Sequence, residues 1–257
     1  MRLHARFAAV AVALPLLGLT TACDSGQTKG KKETAPPNAG SPAGPGASGG
    51  ASAPATSKSP PRTALTEAEL KAARLTAVRG WQIMANDREF TPASPEKADN
   101  PECQPLLDLV APEPSLQPDA IAVVTITKAD VPGQINMGVG QFGPGRADKL
   151  FKDAAAALPK CSQFSGTNKN GSRIDYTAAA GAGATLGDAT IRIDFTRAQG
   201  ERKNAIPLVM VRSGSAAIQA MSIDTVVNAN TAPPLPVSEE LLELQLARLV
   251  EAQKKLV

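Results

Sequence analysis

Histidine and cysteine, the residues that most often carry catalysis or bind metals, are scarce in this chain of 257 residues. The single histidine is His4, and the three cysteines are Cys23, Cys103 and Cys161. Because His4 lies in a segment interpreted below as a cleaved signal, the remaining chain has no histidine for a catalytic triad, for general acid–base catalysis or for a zinc site. We therefore predict no catalytic residue, no metal site and no cofactor.

The first 22 residues have the pattern of an export signal. Residues 1–6 are basic, and residues 7–19 form an apolar stretch. A helix needs about 20 apolar residues to cross a bilayer, so this stretch is too short to be a membrane span. We interpret residues 1–22 as a signal peptide that is removed during export.

Residues 19–23, Leu-Thr-Thr-Ala-Cys, resemble the lipobox of bacterial lipoproteins. The resemblance implies that Cys23 becomes the new N-terminus, carries diacylglycerol and palmitate, and anchors the protein to the membrane. The family usually has leucine three positions before the cysteine, where this chain has Thr20. Two alternatives remain: general signal peptidase cleaving after Ala22, since Thr20 and Ala22 also fit its small-x-small pattern, or a Cys23 that is an ordinary thiol.

Residues 23–64 are rich in Gly, Ser, Pro and Ala and show no apolar periodicity. Such a segment buries too little apolar surface to offset the entropy of ordering, so we expect a disordered tether with a reach of about 35 Å. The tether would hold a single folded domain, residues 65–257, away from the membrane. The basic residues at 29–32 are interpreted as a solvated charge run that assists membrane attachment, with a binding role as the alternative.

The positive net charge of the chain comes from outside the predicted domain. Residues 1–64 contain seven of the 27 basic residues and two of the 24 acidic ones, which leaves 20 basic and 22 acidic residues in 65–257. A nearly neutral domain lacks the basic surface typical of nucleic-acid binding. We therefore expect the membrane, and no nucleic acid, among its partners.

Helices are predicted at both ends and in the middle of residues 65–257. Thr66 and Glu69 form a capping box, which predicts a helix over residues 66–77. A last helix begins at Ser238, and residues 106–110 form one helical turn. After Pro144, apolar residues recur with helical spacing at Ala147, Leu150, Phe151, Ala154, Ala155 and Leu158.

Strands occupy most of the remaining domain. Residues 190–197 alternate strictly between apolar and polar side chains, which is typical of an antiparallel strand with one wet face. Other strands are predicted from Trp81 onward and over residues 120–127, 136–142, 173–178, 206–212 and 217–223. Turn signals such as Ser213-Gly214 separate neighbouring strands. This order predicts an α+β domain whose mostly antiparallel sheet has helices packed on one face.

Cys103 and Cys161 remain if Cys23 is acylated. An even count in an oxidising compartment predicts one disulfide between them, which closes a loop of about 58 residues. The competing interpretation is a reactive thiol pair. That pair requires an electropositive or CxxC-like setting, and neither cysteine has one in the sequence.

Several short motifs together resemble a known family. They are residues 65–70 (LTEAEL), 80–81 (GW), 103–107 (CQPLL), 158–164 (LPKCSQF), 186–188 (LGD) and 209–214 (VMVRSG). They resemble small exported lipoproteins of high-GC Gram-positive actinobacteria and, more loosely, the extracellular sensor domain of mycobacterial PknH-type Ser/Thr kinases. The resemblance implies a helix-and-sheet domain with a cleft for a ligand. Those kinase sensors typically carry two disulfides, whereas this sequence has one cysteine pair and no kinase domain, so we do not transfer the signalling role.

Four residues are candidates for ligand contacts. Trp81 and Tyr176 are the only tryptophan and tyrosine, and either would suit a cleft wall, although core packing is the commoner role of such residues. Arg192 and Asp194 point to the same face of a strand. There an ion-pair ladder, with Asp188 nearby, is the simpler interpretation.

The leading functional hypothesis is a non-catalytic domain, lipid-anchored on the extracytoplasmic face of the cell membrane, that binds a small molecule or a lipid. The alternative is an envelope protein–protein interaction module. A deep apolar cavity favours the first and a flat exposed apolar patch favours the second. An enzyme using carboxylates or Ser/Lys is a third class, but no suitably spaced pair stands out. The glycine-rich residues 181–187 lack the Lys-Ser/Thr of a phosphate-binding loop and are interpreted as a hairpin connection.

Overall fold

Nine antiparallel strands form one sheet in the part of the chain that the computed structural model describes, residues 63–86, 94–223 and 234–256. Across the sheet the strands follow the order β1-β3-β4-β9-β8-β7-β6-β5-β2, and five of the eight pairings join strands that are consecutive in the chain. The predicted α+β class and antiparallel sheet are confirmed. The strands are β1 (Gln82–Asn86), β2 (Lys97–Ala98), β3 (Ala120–Lys128), β4 (Val131–Gln141), β5 (Gln163–Thr167), β6 (Arg173–Ala180), β7 (Ala189–Gln199), β8 (Arg202–Ser213) and β9 (Ala216–Ile223).

Four α-helices accompany the sheet in the described residues. They are α1 (Glu67–Ala73), α2 (Gln104–Leu107), α3 (Arg146–Ala157) and α4 (Glu239–Lys254). The predicted capping box begins α1: the Thr66 hydroxyl accepts from the Glu69 backbone N–H, and the Glu69 carboxylate accepts from the Thr66 N–H. None of these helices is long and apolar enough to cross a membrane.

Several elements differ from the sequence-based prediction. α1 ends at Ala73 rather than at residue 77, because Arg74 already has an extended backbone. β4 begins at Val131 rather than at residue 136. The sequence pattern also did not predict β2 and β5, since β2 has only two residues and Phe164 is the only large apolar side chain of β5.

Two hydrophobic cores lie on opposite faces of the sheet. In β8, Leu208 and Met210 belong to one core and Val209 and Val211 to the other, because successive strand residues point to opposite faces. The first core contains α2 and α3, and the second contains α1 and α4. We call these sides the α2/α3 face and the α1/α4 face. The helices, expected on one face, therefore divide between both, because β8 offers apolar side chains on each.

Each helix pair covers only part of its face. The core on the α2/α3 face includes side chains of β5, β6, β7 and β8, and the core on the α1/α4 face includes those of β3, β4, β8 and β9. The described helices therefore leave two areas uncovered: β1, β3, β4 and most of β9 on the α2/α3 face, and β5, β6 and β7 on the α1/α4 face.

The predicted disulfide joins Cys103 and Cys161, whose Cα atoms lie 5.6 Å apart. It connects the turn before α2 with the turn after α3, and both cysteines are buried in the core of the α2/α3 face. Burial among apolar side chains favours a structural bridge over a reactive thiol pair. Cys23, the predicted signal peptide and nearly all of the predicted tether lie outside the described residues.

Candidate functional site

A groove crosses the α2/α3 face of the sheet in the area that none of the four described helices covers. Its floor is β4, where Asn136, Gly138 and Gly140 lie on the groove side of the strand. The alternate residues Met137 and Val139 point into the core on the opposite face. Since glycine has no side chain, the backbone itself forms the floor at residues 138 and 140. The groove therefore exists because small residues alternate with large ones along this strand.

The neighbouring strands supply two walls of the groove. Ile121 and Val123 of β3 lie opposite Gly140 and Gly138. On the other side of β4, Gln219 of β9 lies opposite Gly138. Strand pairing thus places large side chains on both sides of a row of glycines, and this arrangement produces a channel.

Residues 110–118, which follow α2, form a third wall. Arg146 at the start of α3 holds this segment in place by two hydrogen bonds to it and a third to the adjacent Asp119. Its guanidinium donates to the Asp119 carboxylate at 2.5 Å and to the backbone oxygens of Ser115 and Gln117 at 2.7 and 2.6 Å. The position of this wall therefore depends on α3, which the disulfide links to α2.

The groove has a volume of about 290 Å³ and a mainly apolar lining. Its lining residues are Val110, Pro112, Gln117, Pro118, Ile121, Val123, Asn136, Gly138, Gly140, Phe142, Met210, Ala217, Gln219, Met221 and Ile223. Among the described residues that line it, none carries a charge. The described chain also contains no group of three or more His, Cys, Asp or Glu side chains placed to bind a metal ion.

Three amide side chains are the polar groups of the groove. The side-chain nitrogen of Gln219 donates to the backbone oxygen of Leu109, which ties the segment after α2 to β9. The Gln117 side-chain nitrogen donates to the Pro112 oxygen at 3.5 Å. Asn136 is half-buried on the floor. Amides offer hydrogen bonds without charge, so the groove suits a ligand that is mostly apolar and uncharged.

The uncovered area on the α1/α4 face is different in character. There β6 presents Arg173, Asp175 and Thr177, all exposed to solvent. The Asp175 carboxylate accepts hydrogen bonds from the Ser165 hydroxyl at 2.8 Å and from Arg173 at 3.1 Å, and these bonds lower its pKa. A polar surface is what a solvated sheet face normally shows. The groove on the other half of the sheet differs from this norm, because its exposed lining is mainly apolar.

The two aromatic candidates lie outside the groove. Trp81 packs against the core of the α1/α4 face, with the Lys128 ammonium 5.4 Å from its ring centroid. Tyr176 is buried on the α2/α3 face, stacks on Phe164 with ring centroids 5.3 Å apart, and donates its hydroxyl hydrogen to Glu96. Burial, together with that acceptor, raises the pKa of Tyr176. Both side chains therefore have partners within the fold.

The two charged candidates are also outside the groove, and they do not form the expected ladder. Arg192 pairs with Glu239 at the start of α4, at 2.8 Å. Asp194 is exposed, and Asp188 lies 3.6 Å from Arg212 instead. The ladder interpretation was wrong, because α4 packs on this face and brings a carboxylate to Arg192 from a distant part of the sequence.

The groove residues were not identified from the sequence, although one signal was present. Gly138 and Gly140 are two apart in a predicted strand and so share one face. A glycine inside a strand often marks the close approach of a ligand or of another backbone segment. Ile121 and Val123 gave no such signal, since apolar strand residues are usually core residues.

Comparisons with known proteins place this chain in no family. No family model matches it, and no curated protein does. Among solved structures, the extracellular domain of PknH from Mycobacterium tuberculosis is similar, with a TM-score of 0.46 and 16% identity over 75% of this chain and 98% of that one. A putative uncharacterized protein from Mycobacterium smegmatis, an Rv0999 ortholog, has a TM-score of 0.38 and 11% identity over 72% of this chain and 94% of that one. The first is a weak structural counterpart to the resemblance noted in the sequence, and no functional residue is transferred from either structure.

Proposed function

We propose that this protein is a membrane-anchored extracytoplasmic domain that binds a small, mainly apolar ligand in the groove on β3, β4 and β9. The contrast between the two uncovered areas of the sheet carries the proposal. The area on β5, β6 and β7 is polar, as expected of a surface that faces water, whereas the groove is lined mainly by apolar side chains and glycine. Concave apolar surfaces with a few polar groups are typical of ligand sites.

The size of the groove supports a small ligand or one segment of a longer one. An apolar cavity of about 150 Å³ is known to bind benzene. The volume of about 290 Å³ therefore suits a molecule roughly twice that size. The concave shape favours a ligand over a flat protein interface.

The proposed location rests on the N-terminal sequence and on the disulfide. A signal peptide over residues 1–22, acylation of Cys23 and a tether over residues 23–64 would place the domain of residues 65–257 outside the membrane. The Cys103–Cys161 bridge supports an oxidising compartment. We propose a non-catalytic role, which is supported by the described lining residues of the groove, since none of them has an acidic, basic or thiol side chain.

Native mass spectrometry tests this proposal. The chain with Cys23→Ala, secreted by an actinobacterial host and purified without detergent, is expected to carry an extra mass that disappears on denaturation. Gly138→Leu would fill the floor of the groove and is expected to remove that mass. Thr177→Leu, which places the same side chain on the polar area of β6, is the matched control and should retain it. A carried mass that persists in the Gly138→Leu variant would place the ligand elsewhere.

The free edge of β1 favours a second candidate function, docking of another envelope protein. Among the described strands, β1 lies at the edge of the sheet and pairs only with β3. It contains no charge and no proline, and Met84 is 54% exposed on it. Unprotected edges of this kind are templates for strand addition from a partner. Crosslinking in the cell envelope tests this function, because Met84→Lys should abolish a specific crosslinked partner if the edge is its docking site.

A further inference from the structure

We infer that the groove selects an uncharged aliphatic carbonyl compound, an ester or an amide, and that the side-chain nitrogen of Asn136 donates a hydrogen bond to its carbonyl oxygen. This inference rests on the proposed function and adds the chemical class of the ligand and the residue that recognises it.

The hydrogen bonds of Asn136 leave its donor group unused. Its Oδ1 atom accepts from the Thr125 hydroxyl at 3.2 Å and from the Gln134 side-chain nitrogen at 3.3 Å. These two donors orient the amide, with its oxygen toward Thr125 and Gln134. Within the described chain, the Asn136 Nδ2 atom donates to no acceptor. A half-buried amide that lines a groove and has two free N–H donors is a preformed site for an oxygen acceptor.

The described lining of the groove has no charged residue, and this favours neutral ligands over ionised ones. Moving a carboxylate or an ammonium group from water into an apolar site is costly unless an opposite charge compensates it. No described lining residue supplies such a charge. The acceptor that meets Asn136 is therefore the oxygen of a neutral group, and a carbonyl accepts more strongly than an ether or a thioether.

The side chains that form the walls of the groove indicate the apolar part of the ligand. Ile121, Val123, Met221 and Ile223 are aliphatic or thioether side chains on the strands that flank the floor. These side chains have no ring and no strong hydrogen-bonding group, so an alkyl chain packs well against them. Phe142 supplies the only aromatic ring of the described lining. The ligand is accordingly an alkyl chain that carries one carbonyl group.

Nuclear magnetic resonance on the full chain carrying Cys23→Ala tests this inference, since that variant leaves no acyl chain on the protein to fill the groove. The probe is methyl octanoate, and its charged counterpart is octanoate. The methyl signals of Ile121, Val123 and Met221 report occupation of the groove, and the side-chain amide signals of Asn136 report the hydrogen bond. We expect methyl octanoate to move both sets of signals and octanoate to bind at least about tenfold more weakly.

Variants separate recognition from folding. Asn136→Asp keeps the oxygen that accepts from Thr125 and Gln134 but removes the donor, and Asn136→Leu removes both. Asn136→Leu should bind methyl octanoate about fivefold more weakly, the effect of one lost hydrogen bond. Asn136→Asp should bind it at least as weakly, because its carboxylate also repels a carbonyl oxygen. Asn204→Leu makes the same substitution at an exposed residue of β8 and should bind like the parent chain.

The outcomes distinguish this inference from the proposed function. If the groove methyl signals move but the Asn136 amide signals do not, and neither Asn136 variant weakens binding, the carbonyl inference is wrong and the groove still binds apolar ligands. Equal affinity for the ester and the carboxylate would also overturn it. If no groove signal moves with either probe, the proposed function itself fails for this ligand class.

Discussion

Pro118 lies directly over Gly140, so close that a Cβ atom at residue 140 would be 2.9 Å from the Pro118 Cβ. Real side chains essentially never approach a Cβ atom this closely, so glycine at residue 140 is what allows residues 110–118 to close one side of the groove. The Asp119 N–H donates to the Gln141 oxygen at 2.7 Å, which fixes the segment to the end of β4. The shape of the groove thus depends on one missing side chain.

Gly140→Ala is therefore expected to destabilise the protein by about 1–3 kcal/mol, because the added methyl group forces Pro118 and its segment away from the sheet. Urea denaturation measures this loss. Gly138→Ala is the matched control: its Cβ would meet the free end of the Ile121 side chain at 3.3 Å, which can move. Equal losses for the two variants would contradict the role given to Pro118.

The Cys103–Cys161 disulfide should contribute strongly to stability. It closes a sequence separation of 58 residues, for which the chain-entropy model gives about 4 kcal/mol. The double variant Cys103→Ala/Cys161→Ala is expected to lose about that free energy of unfolding in denaturant titrations. Reduction of the parent chain should have a similar effect. An unchanged denaturation midpoint after reduction would show that packing alone holds α2 against α3.

Tyr176 should resist ionisation in the folded protein. Burial raises its pKa, and its hydrogen bond to Glu96 raises it further. The chain has one tyrosine, so the ultraviolet absorbance of tyrosinate reports this residue alone. Folded protein should show no tyrosinate signal near pH 10, about where an unfolded tyrosine ionises. Protein unfolded in urea should titrate there, and a folded protein that does the same would contradict this burial.

The same shift predicts how stability depends on alkaline pH. A folded-state pKa above the unfolded value favours the protonated form, so this contribution to stability is full below about pH 10 and is lost as the pH rises toward the folded pKa. Tyr176→Phe removes the titrating group. The stability of the parent relative to this variant should therefore fall as the pH rises above about 10, measured by denaturation at several pH values.

Asp108 should oppose folding at neutral pH. Burial raises its pKa from about 3.8, although Gln104 donates a hydrogen bond to it at 2.8 Å and partly offsets this effect. The charged carboxylate is therefore disfavoured in the folded state, and the resulting loss of stability appears only as the pH rises above the unfolded pKa.

Asp108→Asn keeps an oxygen acceptor for Gln104 without the charge. The variant is expected to be more stable than the parent at pH 7 and equally stable below about pH 3.8, where both are neutral. Denaturation at these two pH values checks the prediction. Asp130→Asn, at an exposed turn between β3 and β4, is the control for the substitution itself. An increase in stability that persists in acid would argue against burial of charge as its cause.

Local patterns in the sequence determined most of the elements. The capping box of Thr66 and Glu69 begins α1, and the strict alternation in residues 190–197 corresponds to β7. Both signals depend on neighbours within one turn or along one strand, so a single sequence reveals them. The disulfide followed from the two cysteines that remain if Cys23 is acylated, together with the predicted export signal. The elements missed, β2 and β5, are too short to show a period.

Only the tertiary structure decided which faces of the sheet the helices cover, and therefore where the groove lies. Alternation shows that Asn136, Gly138 and Gly140 share one face, but not that α2 and α3, which pack on that face, stop short of β4. Arg192 likewise pairs with Glu239, 47 residues away, rather than with a strand neighbour. Packing between elements distant in sequence determines which helix covers each part of the sheet. The residues of a strand specify only its two faces and do not specify what will bury each of them.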